Sequence, residues 1–146
     1  MEFNLIRNTQ QLMLAYVALE DRLPEVFEGE DIDMERFIDL FRNDSWLYRV
    51  EGDRTVLGYF WVFTVAPGVV KFGVIGCNGF NLRRARGFIE KLRARLAGPC
   101  FCIIGEVPAH KRKIISLARR LGWTESGWIP NYFGDGADMI ILTLKP

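Results

Sequence analysis

"VIGCNGFNLRRARGFIEKL", residues 74–92, is where the period of the chain changes. A short apolar run, Val74 to Gly76, stops in the turn signal Gly76-Cys77-Asn78-Gly79, and a helical pattern begins at once. Ala85, Phe88, Ile89 and Leu92 recur at three- and four-residue spacing, with Leu82 before them and Leu96 after. A strand that runs through glycines into a helix start brings free backbone amides to its end. Partial positive charge collects there and anions bind. The stretch reads as a phosphate cradle, a nucleic-acid face or a plain turn.

The flanks place this helix in an order. "FNLI" (Phe3 to Ile6) reads as a short strand. Thr9 is the expected cap of a helix carrying Leu12, Met13, Tyr16, Val17 and Leu19, which Pro24 should end. Asp31 or Asp33 can cap a second helix with Met34, Phe37, Ile38 and Phe41 on one side. The period then becomes two. "SWLYRV", "RTVLGYFWVFTV" and "VVKFGVIG" are rich in β-branched and aromatic residues, and the turn signals Glu51-Gly52-Asp53 and Ala66-Pro67-Gly68 separate them, as in an antiparallel meander. After the helix of Asn81 to Ala97 come the strand "CFCIIGEV" and a helix from His110 to Leu121. In that helix Ile114, Ile115, Leu117, Ala118 and Leu121 are expected inside, with Gly122 as the C-cap. "GWIPNYF" and "MIILTLKP", joined by "GDGAD", close the order β-α-α-β-β-β-α-β-α-β-β. No linker or repeat divides it, so one mixed α and β domain over residues 1–146 is expected.

Composition excludes several classes. With 146 residues, 49% hydrophobic and 13% aromatic, the chain can build a core and is not disordered. No apolar run reaches the ~20 residues a membrane span needs, and the first residues lack the pattern of a signal peptide. Cys77, Cys100 and Cys102 make an odd count. Cys100 and Cys102 would share one face of a strand, poor geometry for a mutual bridge, so a reduced, cytoplasmic chain is expected. The net charge of +1 hides an asymmetry: residues 20–53 are acid-rich, and residues 83–120 are basic, interrupted only by Glu90 and Glu106. The basic half suggests an anionic partner or a solvated helical face.

The segment "PAHKRKIISLARRLGWTESG" resembles the C-terminal motif of the GCN5-related N-acetyltransferase superfamily, in which Leu-Gly-aromatic closes a helix ahead of a further glycine. Leu121, Gly122, Trp123 and Gly127 stand in those places. The element order extends the resemblance over nearly the whole chain. It looks closest to divergent bacteriophage-encoded acetyltransferase-like proteins, where a "VPA" loop precedes the same helix and a "DG" turn precedes the last strand. The resemblance implies an α+β acyl-CoA N-acyltransferase fold. Its central sheet is mostly antiparallel, strands 4 and 5 splay apart, and helices cover both faces.

It also implies acetyl-CoA as cofactor. The arm of the cofactor would bond to unpaired main chain of the splayed strand at Val74, Ile75 and Gly76. Its phosphates would meet Asn81, Arg83, Arg84, Ala85 and Lys111. Within the family's phosphate loop only Ala85 matches. Phe80 replaces a polar residue and Arg83 replaces a glycine, where it either blocks the approach or supplies charge.

The chemistry is less visible. The tyrosine that family members use to protonate the leaving thiolate falls on Ala118. A glutamate that some carry on the splayed strand is replaced by Val70, Lys71 and Phe72. Glu106 is the candidate base and Tyr132 the candidate acid. The structural alternatives are a Glu106 carboxylate paired with Arg112 or capping the next helix, and core packing for Tyr132. His110 reads as a surface or capping residue, and Cys77 as a small filler rather than a reactive thiol. No cluster has metal-ligand spacing.

Three functions remain open. One is acetyl transfer to an amine or protein substrate attracted by the acidic residues Glu25 to Asp39. Another is a degenerate scaffold of a phage, acting in virion assembly or on a host protein, in the host cytoplasm or the virion; it expects Phe80 and Arg83 to fill the cofactor site. The third is nucleic-acid binding by the two basic helices, disfavoured as a whole and for single strands above all, because no aromatic residues interleave the cations. Trp128, Tyr132 and Phe133 either form a homodimer seam or pack on a helix.

Overall fold

The computed structural model describes residues 1–27, 31–76, 81–132 and 136–146. The element order matches the sequence reading except for one additional short helix between the two expected after the first strand. It runs β1 (Glu2–Ile6), α1 (Thr9–Leu19), α2 (Leu23–Val26), α3 (Met34–Asp39), β2 (Ser45–Gly52), β3 (Thr55–Ala66), β4 (Val69–Gly76), α4 (Leu82–Leu96), β5 (Cys102–Pro108), α5 (Arg112–Arg120), β6 (Thr124–Ile129) and β7 (Met139–Leu144). The strands form one seven-stranded sheet in the order β1-β2-β3-β4-β5-β7-β6. It is mostly antiparallel, with β4 and β5 parallel.

The chain divides into two compact units: Met1–Phe63 with Gly73–Gly79, and Thr64–Phe72 with Phe80–Pro146. In the first, α1, α3 and the helical turn that follows α3 pack Leu12, Ala15, Leu19, Phe37 and Phe41 against Leu47, Tyr59, Trp61 and Ile75 of the strands. Phe41 lies edge-on to Phe37, and Phe27 stacks on Trp61. Close approach needs small residues here. A Cβ at Gly58 would overlap the Ile75 carbonyl oxygen.

Local details differ from expectation for physical reasons. Asn8, not Thr9, caps α1 by accepting from the Gln10 amide at 2.8 Å. Met13 and Val17 face out while Ala15 faces in, so the buried stripe of α1 is Leu12, Ala15 and Leu19. Pro24 does not end a helix. It stands in the first turn of α2, where its missing N–H costs nothing. Asp33 supplies the cap of α3. A π-helical turn, Leu40–Asp44, then delivers the chain to β2.

In the second unit α4 and α5 are the two crossovers between parallel strands. β4, β5 and β6 run in one direction and β7 runs against them. Right-handed crossovers that advance the same way place both helices on one face. That face carries Val70 and Phe72 of β4 and Ile103 and Gly105 of β5. Phe72 lies 5.9 Å from Phe88 of α4 and 5.9 Å from Trp123, just past α5. Gly122 has φ +92° and turns the chain there. The Trp123 amide donates to the Ala118 carbonyl at 3.1 Å, closing the helix in the manner expected of Leu-Gly-aromatic. Leu82, 42% exposed, and Ile114, 48% exposed, lie outside the core; Ile115 is the buried residue of α5.

Candidate functional site

The parallel ladder between β4 and β5 is short. Val69, Val70, Lys71 and Phe72 pair with Cys102, Ile103, Ile104 and Gly105. Beyond it β4 continues through Gly73–Gly76 and β5 through Glu106–Pro108, with no further rung between them among the described residues. Ile103 is inside the ladder opposite Val70; Val74 lies beyond it. On its other edge β5 pairs with β7 through Pro108.

Lys71 and Glu106 meet at this place. In a parallel ladder Lys71 points to the same side as Ile104 and therefore as Glu106 two residues on. The Lys71 ammonium is ion-paired with the Glu106 carboxylate, and the glutamate side chain is 22% exposed. Glu106 is therefore not partnered with Arg112, the alternative weighed from sequence. The sequence signal was available: a lysine inside an apolar strand needs a counter-charge.

Tyr132 lies past the end of β6. The register sets Ile129, Met139 and Pro108 in one row, so Tyr132 follows from the Pro108 end of the sheet, not from the row of Glu106 and Ile141. Tyr132 is exposed and so does not serve core packing. Trp128 is 60% exposed, and the helix-packed alternative for it fails as well. Phe133 lies outside the described residues. Lys111, half-buried, opens α5 with its carbonyl accepting from the Ile114 and Ile115 amides. His110 is exposed and Ala118 half-buried.

On β4, Val74 is exposed, and Ile75 is buried in the first unit's core. The Gly76 carbonyl accepts a hydrogen bond from the Arg22 guanidinium. Arg22 was missed in the sequence because its partner is main chain. Cys77, Gly79 and Phe80 lie outside the described residues.

The start of α4 has a defined cap. The Asn81 side chain accepts from the Arg84 amide at 3.0 Å, and its carbonyl accepts from Ala85 at 2.8 Å. No acidic residue stands in the first turn; Arg83, Arg84 and Arg86 crowd the positive end of the helix dipole. The Leu82 and Arg83 amides have no partner among the described residues. Ala85 is buried and Arg83 exposed, so Arg83 does not fill a cavity.

In the first unit Tyr16 stands edge-on to Phe37. Its phenol is held above its ordinary pKa, by desolvation first and then by the negative charges of Glu20, Asp31 and Asp33. In the sequence Glu20 belongs to an acidic stretch, and Asp31 and Asp33 are candidate helix caps as well. Among the described residues no cluster of three His, Cys, Asp or Glu side chains is placed to hold a metal ion. No described helix is long and apolar enough to cross a membrane.

No protein-family model and no curated protein matches the sequence. Solved structures do match the fold. Spermidine N-acetyltransferase from Vibrio cholerae, in complex with CoA and spermine, superposes with a TM-score of 0.80 at 15% identity, over 99% of this chain and 94% of that one. Ribosomal-protein-alanine N-acetyltransferase from Brucella melitensis gives 0.73 at 16% identity over 100% of both chains. The smu.2055 protein of Streptococcus mutans gives 0.81 at 10% identity over 99% of both. With its seven-stranded sheet and single parallel β4–β5 pair, the chain has the fold of the GCN5-related N-acetyltransferases.

Proposed function

We propose that residues 1–146 form an N-acetyltransferase that moves an acetyl group from acetyl-CoA to a cationic amine. The observation that carries this reading is the short β4–β5 ladder, which stops at Phe72 and Gly105, together with an α4 first turn that holds arginines and no carboxylate. The fit to the cofactor is uneven. The Leu82 and Arg83 amides, which have no partner among the described residues, suit a pyrophosphate together with the Asn81 cap and the Arg83 and Arg84 side chains. Three arginines at the positive end of a dipole repel one another, and a bound anion relieves them. Ala85 keeps that turn slim, and Lys111 adds a further cation. Val74, Ile75 and Gly76 offer main chain to the pantetheine arm, except that the Gly76 carbonyl is already taken by Arg22.

Acetyl-CoA supplies an activated thioester. The amine nitrogen attacks its carbonyl carbon, a C–N bond forms, the C–S bond breaks, and the thiolate leaves. Glu106 takes the proton released by the amine, directly or through water, and Tyr132 returns one to the thiolate. Glu106 does this while paired with Lys71, which fixes the direction of the carboxylate. The acceptor class follows from Glu20, Asp31 and Asp33 around Tyr16, whose charge favours an ammonium group. The solved neighbours that act on spermidine and hold spermine support a polyamine or a basic protein terminus. Trp128 and Tyr132 provide a seam for a homodimer, and the protein works in the cytoplasm. Isothermal titration tests the reading: acetyl-CoA binds with measurable heat below millimolar concentration. Silence at millimolar ligand refutes it.

A second reading has observations of its own. Ala118 stands where the family's acid belongs, Glu106 is tied to Lys71, and Gly76 to Arg22. On that reading the chain is a degenerate scaffold, phage-encoded, acting in virion assembly or on a host protein. It predicts silence in the same titration.

A further inference from the structure

We propose that the outer face of the α4–α5 layer docks a nucleic-acid double helix through its phosphate backbone. The inference does not depend on the acetyl-transfer reading. Both helices spend their apolar stripes on the sheet: α4 buries Ala85, Phe88, Ile89 and Leu92, and α5 buries Ile115. Topology puts them on the same face, and Phe72, in ring contact with both Phe88 and Trp123, ties that face together. What remains outside is basic. α4 carries Arg83, Arg84, Arg86, Lys91, Arg93 and Arg95 against one carboxylate, Glu90. α5 carries Arg112, Lys113, Arg119 and Arg120 and no carboxylate. Arg119 is paired with Glu125; a shallow open depression between Arg112, Lys113 and Arg120 is lined otherwise by Ser116 and Leu117.

The arrangement selects among polyanions. From Arg83 to Arg95 the cations follow the α4 axis for about 18 Å at 1.5 Å per residue. Lys91 and Arg95, one turn apart on one flank, are about 6 Å from each other. A rod of constant charge density, about one phosphate per 1.7 Å of duplex, matches such a row better than the scattered carboxylates of a protein surface. Eight of these ten cations are arginines, whose forks grip phosphate oxygens in pairs. The sole aromatic residue of either helix, Phe88, is buried, so the two helices themselves offer no stacking platform for a single strand. Leu82 and Ile114 are the only large apolar side chains exposed on the two helices, too few to make an insertion face for a membrane.

The test is fluorescence anisotropy of the full chain with labelled 20-base-pair DNA and RNA duplexes, from about 50 to 300 mM salt. Four or five phosphate contacts give a log–log salt slope of about −4, so affinity falls about a thousandfold across that range. Little dependence on base sequence is expected, and the two duplexes together show which form fits better. The variant Arg93→Gln/Arg95→Gln/Lys113→Gln/Arg120→Gln removes exposed cations outside the proposed cofactor residues, and it flattens the slope by about 2 to 4 units. The milder Lys113→Gln/Arg120→Gln pair, confined to α5, flattens it by about 1 to 2 if the larger variant misfolds. No duplex binding at 50 mM salt overturns the proposal. So does an unchanged slope in a folded variant. Equal binding to polyglutamate or to anionic phosphatidylserine vesicles at matched charge also overturns it.

Discussion

Removing the Trp123 side chain is expected to cost more than any single change on the surface of the second unit. The indole is 7% exposed, stacks on Phe72 at 5.9 Å, and covers Gly105, where an added Cβ would lie 3.2 Å from its ring. A buried tryptophan hides roughly 150–250 Å², worth about 4–6 kcal/mol at 25 cal/mol per Å². That is an upper bound, and large-to-Ala changes at such sites cost about 3–5 kcal/mol. For 146 residues the unfolding entropy is about 0.3 kcal/mol/K. Trp123→Ala should therefore lower Tm by about 10–16 °C, read by circular dichroism and repeated by urea titration. The ring's position makes a sharper claim. Gly105→Ala alone pushes against the indole and should cost about 1–2 kcal/mol. In the Trp123→Ala background the same methyl enters vacated space and should cost almost nothing, a coupling of about 1–2 kcal/mol. A Tm drop under about 5 °C, or equal costs of Gly105→Ala in both backgrounds, refutes the packing argument.

Other changes probe the remaining elements. Asn81→Ala removes the α4 cap and should lower Tm by about 3 °C, for about 1 kcal/mol, while Asn81→Asp restores it; an indifferent Asn81→Ala contradicts the capping role. Gly58→Ala drives a methyl into the Ile75 carbonyl, a backbone group that cannot swing away, and should cost about 2–3 kcal/mol in the same melt. Gly87→Ala, on an exposed turn of α4 with open space around the new methyl, should instead stabilise by about 0.5–1 kcal/mol. Tyr16 keeps its proton more firmly folded than unfolded, so its contribution is full below pH ~10 and is lost as pH rises through the folded-state value. Urea titrations of wild type and Tyr16→Phe should run parallel below that pH. Above it wild type should lose stability relative to the variant, and curves parallel to pH 11 would contradict the assigned environment.

The order of elements was legible because each one announces itself by many residues at once. The switch from period two to period 3.6 at residues 74–92, and Leu121-Gly122-Trp123 at a helix end, recur in the structure as a strand, a helix and a glycine with positive φ that turns the indole inward. Details resting on one residue were less secure. Asn8 and Thr9 are equally good caps by chemistry, and only the backbone decides between them. Ile114 carries the same apolar label as Ile115, yet a nine-residue helix with one buried side chain leaves it outside. The candidate site was harder still, because its pairs are made by register. Lys71 sits in an apolar strand and asks for a counter-charge, but only the pairing of Val69 with Cys102 names Glu106 as the answer. Arg22 and the Gly76 carbonyl, 54 positions apart, leave no trace in composition at all. The same asymmetry explains how a chain at 10–16% identity keeps the fold of its neighbours. Burial spreads the cost of change over dozens of side chains, each replaceable by another of similar bulk. A proton-transfer group depends on one atom in one place, so a single side chain at a position such as Ala118, half-buried on α5, can change without disturbing the sheet beneath it.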